Sequence, residues 1–509
     1  MKLRLLATAL LFLSIRGSAQ NVTKVFDKVK DVTVKDFGSI KKNNVIKGYY
    51  TFYEFDKVDR KTILFRLNLL DENLNPIGTG DITGPKSWSL LTSGFDGTNF
   101  CFKFYDEKEK TIELRVYDQQ AKEIAANTLK TNYNTNSNTY QTFGQIVGAD
   151  IYTVGNAGFC NYTFNDPNNS FVITYINNNS QASWQQTYEP EAKSKAVVPK
   201  FLTGDDEMIL TGITRIDKGL YSLKTAQSIA AYNTKNGSKL FDVSTTFGEN
   251  HVVPINAILE DGKITIIGLN YLSEKTYTSA PEGLAFIQMD RTGKVLKSSF
   301  KTFDESFGKY LPIENHQLTG GYYLYFHNII RSNRNTNLII AEKFKKAADA
   351  GGIALSLVGG GPIKLKLENM VVLEYDLEGN IKTATEIPKA MTSTAPFPSY
   401  SGFFPAYYLA SWANGLGLMD YMFTTQNSDN SEIAFSFVDH GKIDDASKST
   451  DNFGQIKYKN GTLTTDKLPI KDEKATLSRF LPAKSGHVLQ MNYFKKDKKL
   501  EMNLIKLNN

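Results

Sequence analysis

Cysteine is nearly absent from this chain: 509 residues carry 2. Cys101 lies in NFCFKF and Cys160 in GFCNYTF, at matching positions of neighbouring repeat units. Stacked sheets lie about 10 Å apart, whereas a disulfide needs Cα atoms within about 7 Å. Two buried free thiols are therefore expected. Histidine is scarce as well, with 5 residues, which leaves little material for a metal centre. Long hydrophobic runs are missing past the N-terminus. The longest later candidate, Ala347 to Val358, is 12 residues, and a membrane-spanning helix needs about 20.

Charge of one sign is missing too. Lys and Arg number 59 against 53 Asp and Glu, for a net charge of +6. Lys2, Arg4 and Arg16 belong to an N-terminal leader, and without them the balance is +3. Nucleic acid is not an expected partner at that balance. Residues 1–19 read as a signal peptide: a basic start, an apolar stretch Leu5 to Ile15, then Gly17-Ser18-Ala19 before Gln20. No Cys follows for lipid attachment. The expected mature chain is exported to the periplasm, outer surface or medium, with no transmembrane segment after cleavage.

Catalytic signatures are likewise absent. There is no Gly-x-Ser-x-Gly, no His-Glu-x-x-His and no EF-hand loop. Gly359-Gly360-Gly361 lacks the Lys-Ser/Thr of a phosphate loop. No cofactor and no metal are expected. Trp-Asp dipeptides, a recurrent Gly-Gly pair and the sialidase turn do not repeat along the chain, so none of those propeller signatures applies.

What is present is a recurring turn. An alternating apolar run ends in Asp or Asn, passes through small or polar residues and restarts. It does so around Asp71, Asp118, Asn178, Asn233, Asp290, Asp376 and Asn460, at intervals of 47, 60, 55, 57, 86 and 84 residues. That is the spacing of a repeated four-stranded sheet and predicts an all-β fold, a β-propeller. The 32 Phe and 26 Tyr suit strands buried on both faces between blades.

Eight units are read, at 33–85, 86–131, 140–187, 195–246, 251–301, 308–386, 402–468 and 474–509; a seven-bladed count remains an alternative. Each holds strands A to D from the axis outward. The eighth lacks its outer strand, and Val22–Val34 is expected to supply it and close the ring. Residues 20–509 thus form one propeller domain.

B–C loops and D–A connections share one face of such a ring. On that face the loops lengthen over blades four to seven, at 217–228, 272–282, 346–366, 387–408 and 440–452. Long loops gathered on one side mark a binding rim. The 346–366 insert, AADAGGIALSLVGGG at its centre, reads either as a flap laid on the propeller or as a hairpin that docks a partner or touches a membrane.

YYLYFHNIIR at 322–331, LIIAEKFKKA, GGIALSLVGGG and MVVLEYDLEGN resemble an uncharacterised family of exported, propeller-like Bacteroidota proteins. The resemblance implies export and leaves function open.

Three constellations remain as candidate chemistry. Glu249-Asn250-His251 and Glu314-Asn315-His316 repeat before inner strands, but ordinary loop chemistry accounts for them better than a metal. Asp205, Asp206 and Glu207, or Asp304 and Glu305, would be the acids of a glycosidase; they read as solvated loop acids. Tyr221, Tyr277, Phe397, Tyr400 and Trp412, with Arg331 and Arg334 nearby, form the candidate ligand-binding rim. The two arginines are also compatible with an A–B turn on the opposite face. The expected function is an exported, non-catalytic binding or scaffold protein for a glycan, peptide or envelope protein. The alternatives are a polysaccharide hydrolase or lyase, and an outer-membrane β-barrel.

Overall fold

The computed structural model describes residues 22–32, 37–42, 45–130, 151–155, 158–165, 170–177, 183–189, 194–217, 224–276, 279–314, 317–348, 363–397, 406–440, 452–470 and 475–507. Eight antiparallel sheets follow one another as the blades of a propeller, seven built on four consecutive strands and the eighth on three together with the first strand; a two-stranded ribbon, Ile313–Glu314 with Gln317–Leu318, precedes blade six. They are not one continuous hydrogen-bonded cylinder, as a membrane barrel would require. Among the described residues no helix is long and apolar enough to cross a membrane.

The inner strands are Phe37–Lys42, Trp88–Phe95, Tyr152–Val154, Ser194–Gly204, Asn250–Glu260, Tyr323–Arg331, Tyr421–Gln426 and Leu477–Pro482. The short strand Thr246–Phe247 adds a fifth member to blade five. The ring closes as expected. Val22–Asp27 pairs antiparallel with Lys499–Lys506, in register from Val22↔Leu504 to Asp27↔Lys499, and forms the outer strand of blade eight. Beyond it, Val29 and Val32 sink into a core shared by blades eight and one. The Tyr493 hydroxyl donates to the Lys30 carbonyl at 2.8 Å.

The repeated turn is the C–D connection, and its chemistry recurs. The Asp290 carboxylate accepts from the N–H groups of Thr292 and Lys294 at 2.9 and 3.0 Å. Asp71, Asp118 and Asp376 accept likewise from residues two and four positions on. The residue three positions on takes positive φ: Leu74, Ala121, Gly293 and Gly379, at 67°, 59°, 87° and 82°. One extra residue in the outer strand makes the accompanying bulge.

The turn also packs outward. A Cβ on Gly293 would fall 2.7 Å from the Phe241 ring of blade four, and one on Gly379 would fall 2.5 Å from the Phe286 ring of blade five. The same side of the repeat thus shapes a hairpin and seats one blade on the previous one. Asn460 departs from this pattern. Lys459 pairs with Thr462 across Asn460-Gly461, both at positive φ, which makes a two-residue hairpin. Asn178 lies outside the described residues.

Two segments differ from the sequence reading. The stretch expected as the end of the 387–408 loop and the start of blade seven from 402 contains the helix α2, Ala406–Gly415; the shorter α1, Phe303–Phe307, precedes it in the chain. α2 forms because ten residues pass without Pro, and it stops at Gly417. There Leu418 N–H bonds the Ala413 carbonyl and Gly417 N–H bonds that of Asn414, the glycine having φ of 69°. The insert in blade six begins as an extension of strands Asn337–Ala348 and Ile363–Tyr375, paired out to Ala348↔Ile363. Its base is covered: Phe344, Leu365 and Leu367 are buried with Phe397, Tyr407 and Trp412. Residues 349–362 lie outside the described residues, so the choice between flap and docking hairpin falls there.

Both cysteines are free and buried, as expected. Burial raises both thiols, Cys160 to about 12. A thiol reagent at neutral pH should label neither in the native protein and both after denaturation. Gly293→Ala should destabilise the fold by roughly 1–3 kcal/mol, because it adds left-handed strain to the Phe241 clash. Urea titration would measure this, and an unchanged midpoint would refute the seating role.

Candidate functional site

The loop-rich face of blades four to six holds a pocket of about 100 Å³ beside the mouth of the central channel. Inner strands supply Lys200, Val253, Ile255 and Tyr325; the upper ends of neighbouring strands supply Thr214, Gln227 and Tyr271; Thr276 comes from a B–C loop. α2 closes one side with Tyr407, Tyr408 and Ser411. The helix is held there by rings: Tyr407 meets Tyr323 and Phe344 edge-on, each at 5.3 Å.

Inner-strand bulges aim side chains at this region. The inner strands of blades two, five, six and seven each carry one extra residue in the A–B register and that of blade four carries two; in blade six the extra residue is His327. Bulges re-aim side chains beside functional surfaces. Tyr325 meets the His327 ring edge-on at 5.0 Å, which joins the pocket to a buried polar chain.

That chain runs His327–Glu342–Lys389–Asp420–His440. His327 Nε2 lies 3.2 Å from Glu342 Oε2, and Nδ1 lies 3.2 Å from Asn414 Oδ1 on α2. The imidazole stacks on Tyr421 at 4.5 Å. Lys389 Nζ lies 3.4 Å from Glu342 Oε1 and 2.5 Å from Asp420 Oδ2. Thr392 donates to the same Asp420 oxygen at 2.6 Å, and His440 Nε2 stands 3.7 Å from the other. Glu342 and Lys389 have side chains 0% exposed. Burial by itself would raise the Asp420 carboxyl; His440, Lys389 and Thr392 outweigh it and hold the carboxyl below its usual range. The chain ties blade six, the D–A connection, α2 and the start of blade seven together at the rim of the pocket.

The residues singled out from sequence fare differently. Phe397 and Trp412 are 4% and 5% exposed. They pack on each other at 5.4 Å, in an apolar core with Tyr407 and Tyr408 instead of on an open rim. Tyr221, Tyr277, Tyr400 and His316 lie outside the described residues. Arg331 and Arg334 flank the A–B turn of blade six, on the opposite face, where Arg331 stands 3.7 Å from Glu260. Asp205 and Glu207 are both paired with Arg291 of blade five, and Glu305 caps α1 through Thr302. These acids do structural work. Among the described residues no group of three or more His, Cys, Asp or Glu side chains is placed to hold a metal.

A larger pocket of about 290 Å³ opens on the lower face between blades seven, eight and one. Of its charged lining, Glu432 is paired with Lys457 and Lys459, and Lys484 donates to Asn73; Glu72 lines it as well. Lys200, Tyr325, His327, Glu342 and Lys389 were missed from sequence. The available signal was a lone Glu and a lone His inside the apolar runs LIIAEKF and YLYFHNII. A strand buried on both faces carries an isolated charge only with a partner.

Removing Lys389 leaves two buried carboxylates without their shared cation. Lys389→Met should therefore destabilise the protein by about 3–5 kcal/mol. The lowered Asp420 carboxyl contributes stability that is full above the unfolded value near 4 and is lost as pH falls through the folded value. Thermal melts of wild type and Asp420→Asn should thus differ most at neutral pH and converge in acid.

Similar solved structures share little with this chain beyond its general plan. A prolyl endopeptidase structure is 10% identical with a TM-score of 0.38 over 88% of this chain, which spans 53% of that one, about half its length. The WD40 domain of SCAP from fission yeast is 9% identical, with a TM-score of 0.30 over 83% of this chain and 92% of that one. A subtype N10 neuraminidase-like protein from a little yellow-shouldered bat strain is 10% identical, with a TM-score of 0.27 over 68% and 91%. The propeller assignment rests on the sheet order itself. No curated protein matches the sequence. A family model covers residues 1–508, and the chain accordingly belongs to that family of unknown function, DUF6770.

Proposed function

We propose that this propeller works by binding, and that its ligand docks on the loop-rich face of blades four to six. The observation behind the reading is the pocket where Lys200, Gln227, Tyr271, Tyr325 and Tyr408 converge. Apolar and aromatic walls with a few placed polar groups are the usual make-up of a small-ligand site. α2 and the buried ion chain hold one wall of it in place. A glycan unit or a peptide side chain suits the aromatic lining. The leader-like residues 1–19 support an exported chain acting in the periplasm, at the outer surface or in the medium. A polysaccharide hydrolase is the weaker reading, because the acids named for it are engaged in turns, caps and ion pairs.

Glycan and peptide arrays probed with the mature chain should give a defined set of ligands. Tyr325→Ala should weaken them tenfold or more, an aromatic anchor being worth about 2 kcal/mol. Circular dichroism would verify that the variant folds. Array binding untouched by Tyr325→Ala would refute the location. Hydrolysis of a polysaccharide with no retained ligand would favour the enzyme.

A further inference from the structure

The inner strands are unequal in charge. Among the described side chains they carry Lys41, Lys200, Arg331 and Arg479, against one acid, Glu260. Glu260 stands at the lower end and faces Arg331. Arg479 lies over the Phe37 ring at 5.8 Å. For Lys41 and Lys200 no carboxylate partner occurs among the described residues. A channel lined by one sign of charge between low-dielectric walls concentrates ions of the other sign.

Lys200 is where that field meets the pocket. It is reached by solvent yet enclosed by protein, as a side chain in a narrow wet channel is. The groups facing it from blades four, five and six and from α2 are Thr214, Gln227, Tyr271, Thr276, Tyr325 and Tyr408, none of them a carboxylate. Gln227 accepts from Thr214 through its carbonyl oxygen at 2.6 Å, so its amide N–H groups are what it can offer a ligand. An ammonium and an amide donor beside tyrosine rings match a small oxyanion carried on a flat, partly apolar group.

We propose that Lys200 is the anchor of an oxyanion site, and that the ligand is a small acidic unit such as a uronate, bound by its carboxylate with its ring against Tyr325. This rests on the binding reading above and names its ligand class. A volume of about 100 Å³ is smaller than a whole sugar ring, so the pocket seats the carboxylate end and one face of such a unit, and not a folded partner. Enclosure pulls the Lys200 ammonium below its ordinary value, to about 8, and among the described residues no other Lys, Arg, Asp or Glu lines the pocket. Binding is thus strongest below that pH and fades above it.

Calorimetric titration of the mature chain with glucuronate, inorganic phosphate, sulfate and glucose tests this. Glucuronate should bind wild type and Lys200→Arg, and Lys200→Met should lose about tenfold or more in affinity, the usual worth of a charge-assisted hydrogen bond. Lys200→Met should keep the wild-type melting temperature, since it leaves no buried partner stranded. Phosphate binding without glucuronate binding, again dependent on Lys200, keeps the oxyanion site and makes the ligand a phosphorylated one. Equal affinities in wild type and Lys200→Met, or no anion binding at all, overturn the inference. If array ligands are still lost in Tyr325→Ala, the binding reading survives that failure. If they are not, both fall.

Discussion

A carboxylate that folds back on its own turn organises this molecule. In each Asp-x-x-Gly connection the side chain collects two backbone N–H groups that a tight hairpin would otherwise leave to water. The residue at positive φ then brings the turn flush against the preceding blade. Local and long-range requirements coincide in four residues. This coupling is what lets sheets of about thirty to forty residues, each too small to hold a core alone, stack in a fixed angular order. Where glycine is replaced, as at Ala121, the neighbour compensates: Ala121 sits over Gly80, whose missing side chain makes the room.

The ring departs from regularity at blades six and seven, and the departures belong together. The extended hairpin of blade six, the D–A connection and α2 share one apolar core. The polar chain from His327 to His440 runs alongside it. An apolar patch alone would leave α2 free to slide along blade six. The Asn414 contact to a buried imidazole, and the Lys389 bridge between carboxylates of blade six and of the strand leading into blade seven, give it one register. The pocket depends on that register, because one of its walls is the helix.

Much of the architecture was legible because the signals were local. Turn chemistry, strand alternation and the missing outer strand of the last unit each follow from short stretches. The blade boundaries read from them fall within a few residues of the observed strands for blades one, two, four, five and eight. For blades three, six and seven the starts were placed early, at 140, 308 and 402, against inner strands that begin at Tyr152, Tyr323 and Tyr421. The site was barely legible. Phe397 and Trp412 stand in a segment with every mark of an exposed loop, and the base of the blade-six hairpin and α2 make it an interior. Lys200 looks like any strand lysine. Its enclosure is created by residues from three blades and a helix more than two hundred positions away.

The seam joins positions almost a full chain apart: Thr23 donates to Asn503 across 480 residues. Closing so long a loop costs only slightly more than closing a short one, because the entropy grows with the logarithm of length. Timing is another matter. Val22–Asp27 is made some 480 residues before its mate Lys499–Lys506, so it stays without that partner while the strands between are synthesised. Seven sheets can assemble in sequence meanwhile, and the circle locks only once Lys499–Lys506 has emerged.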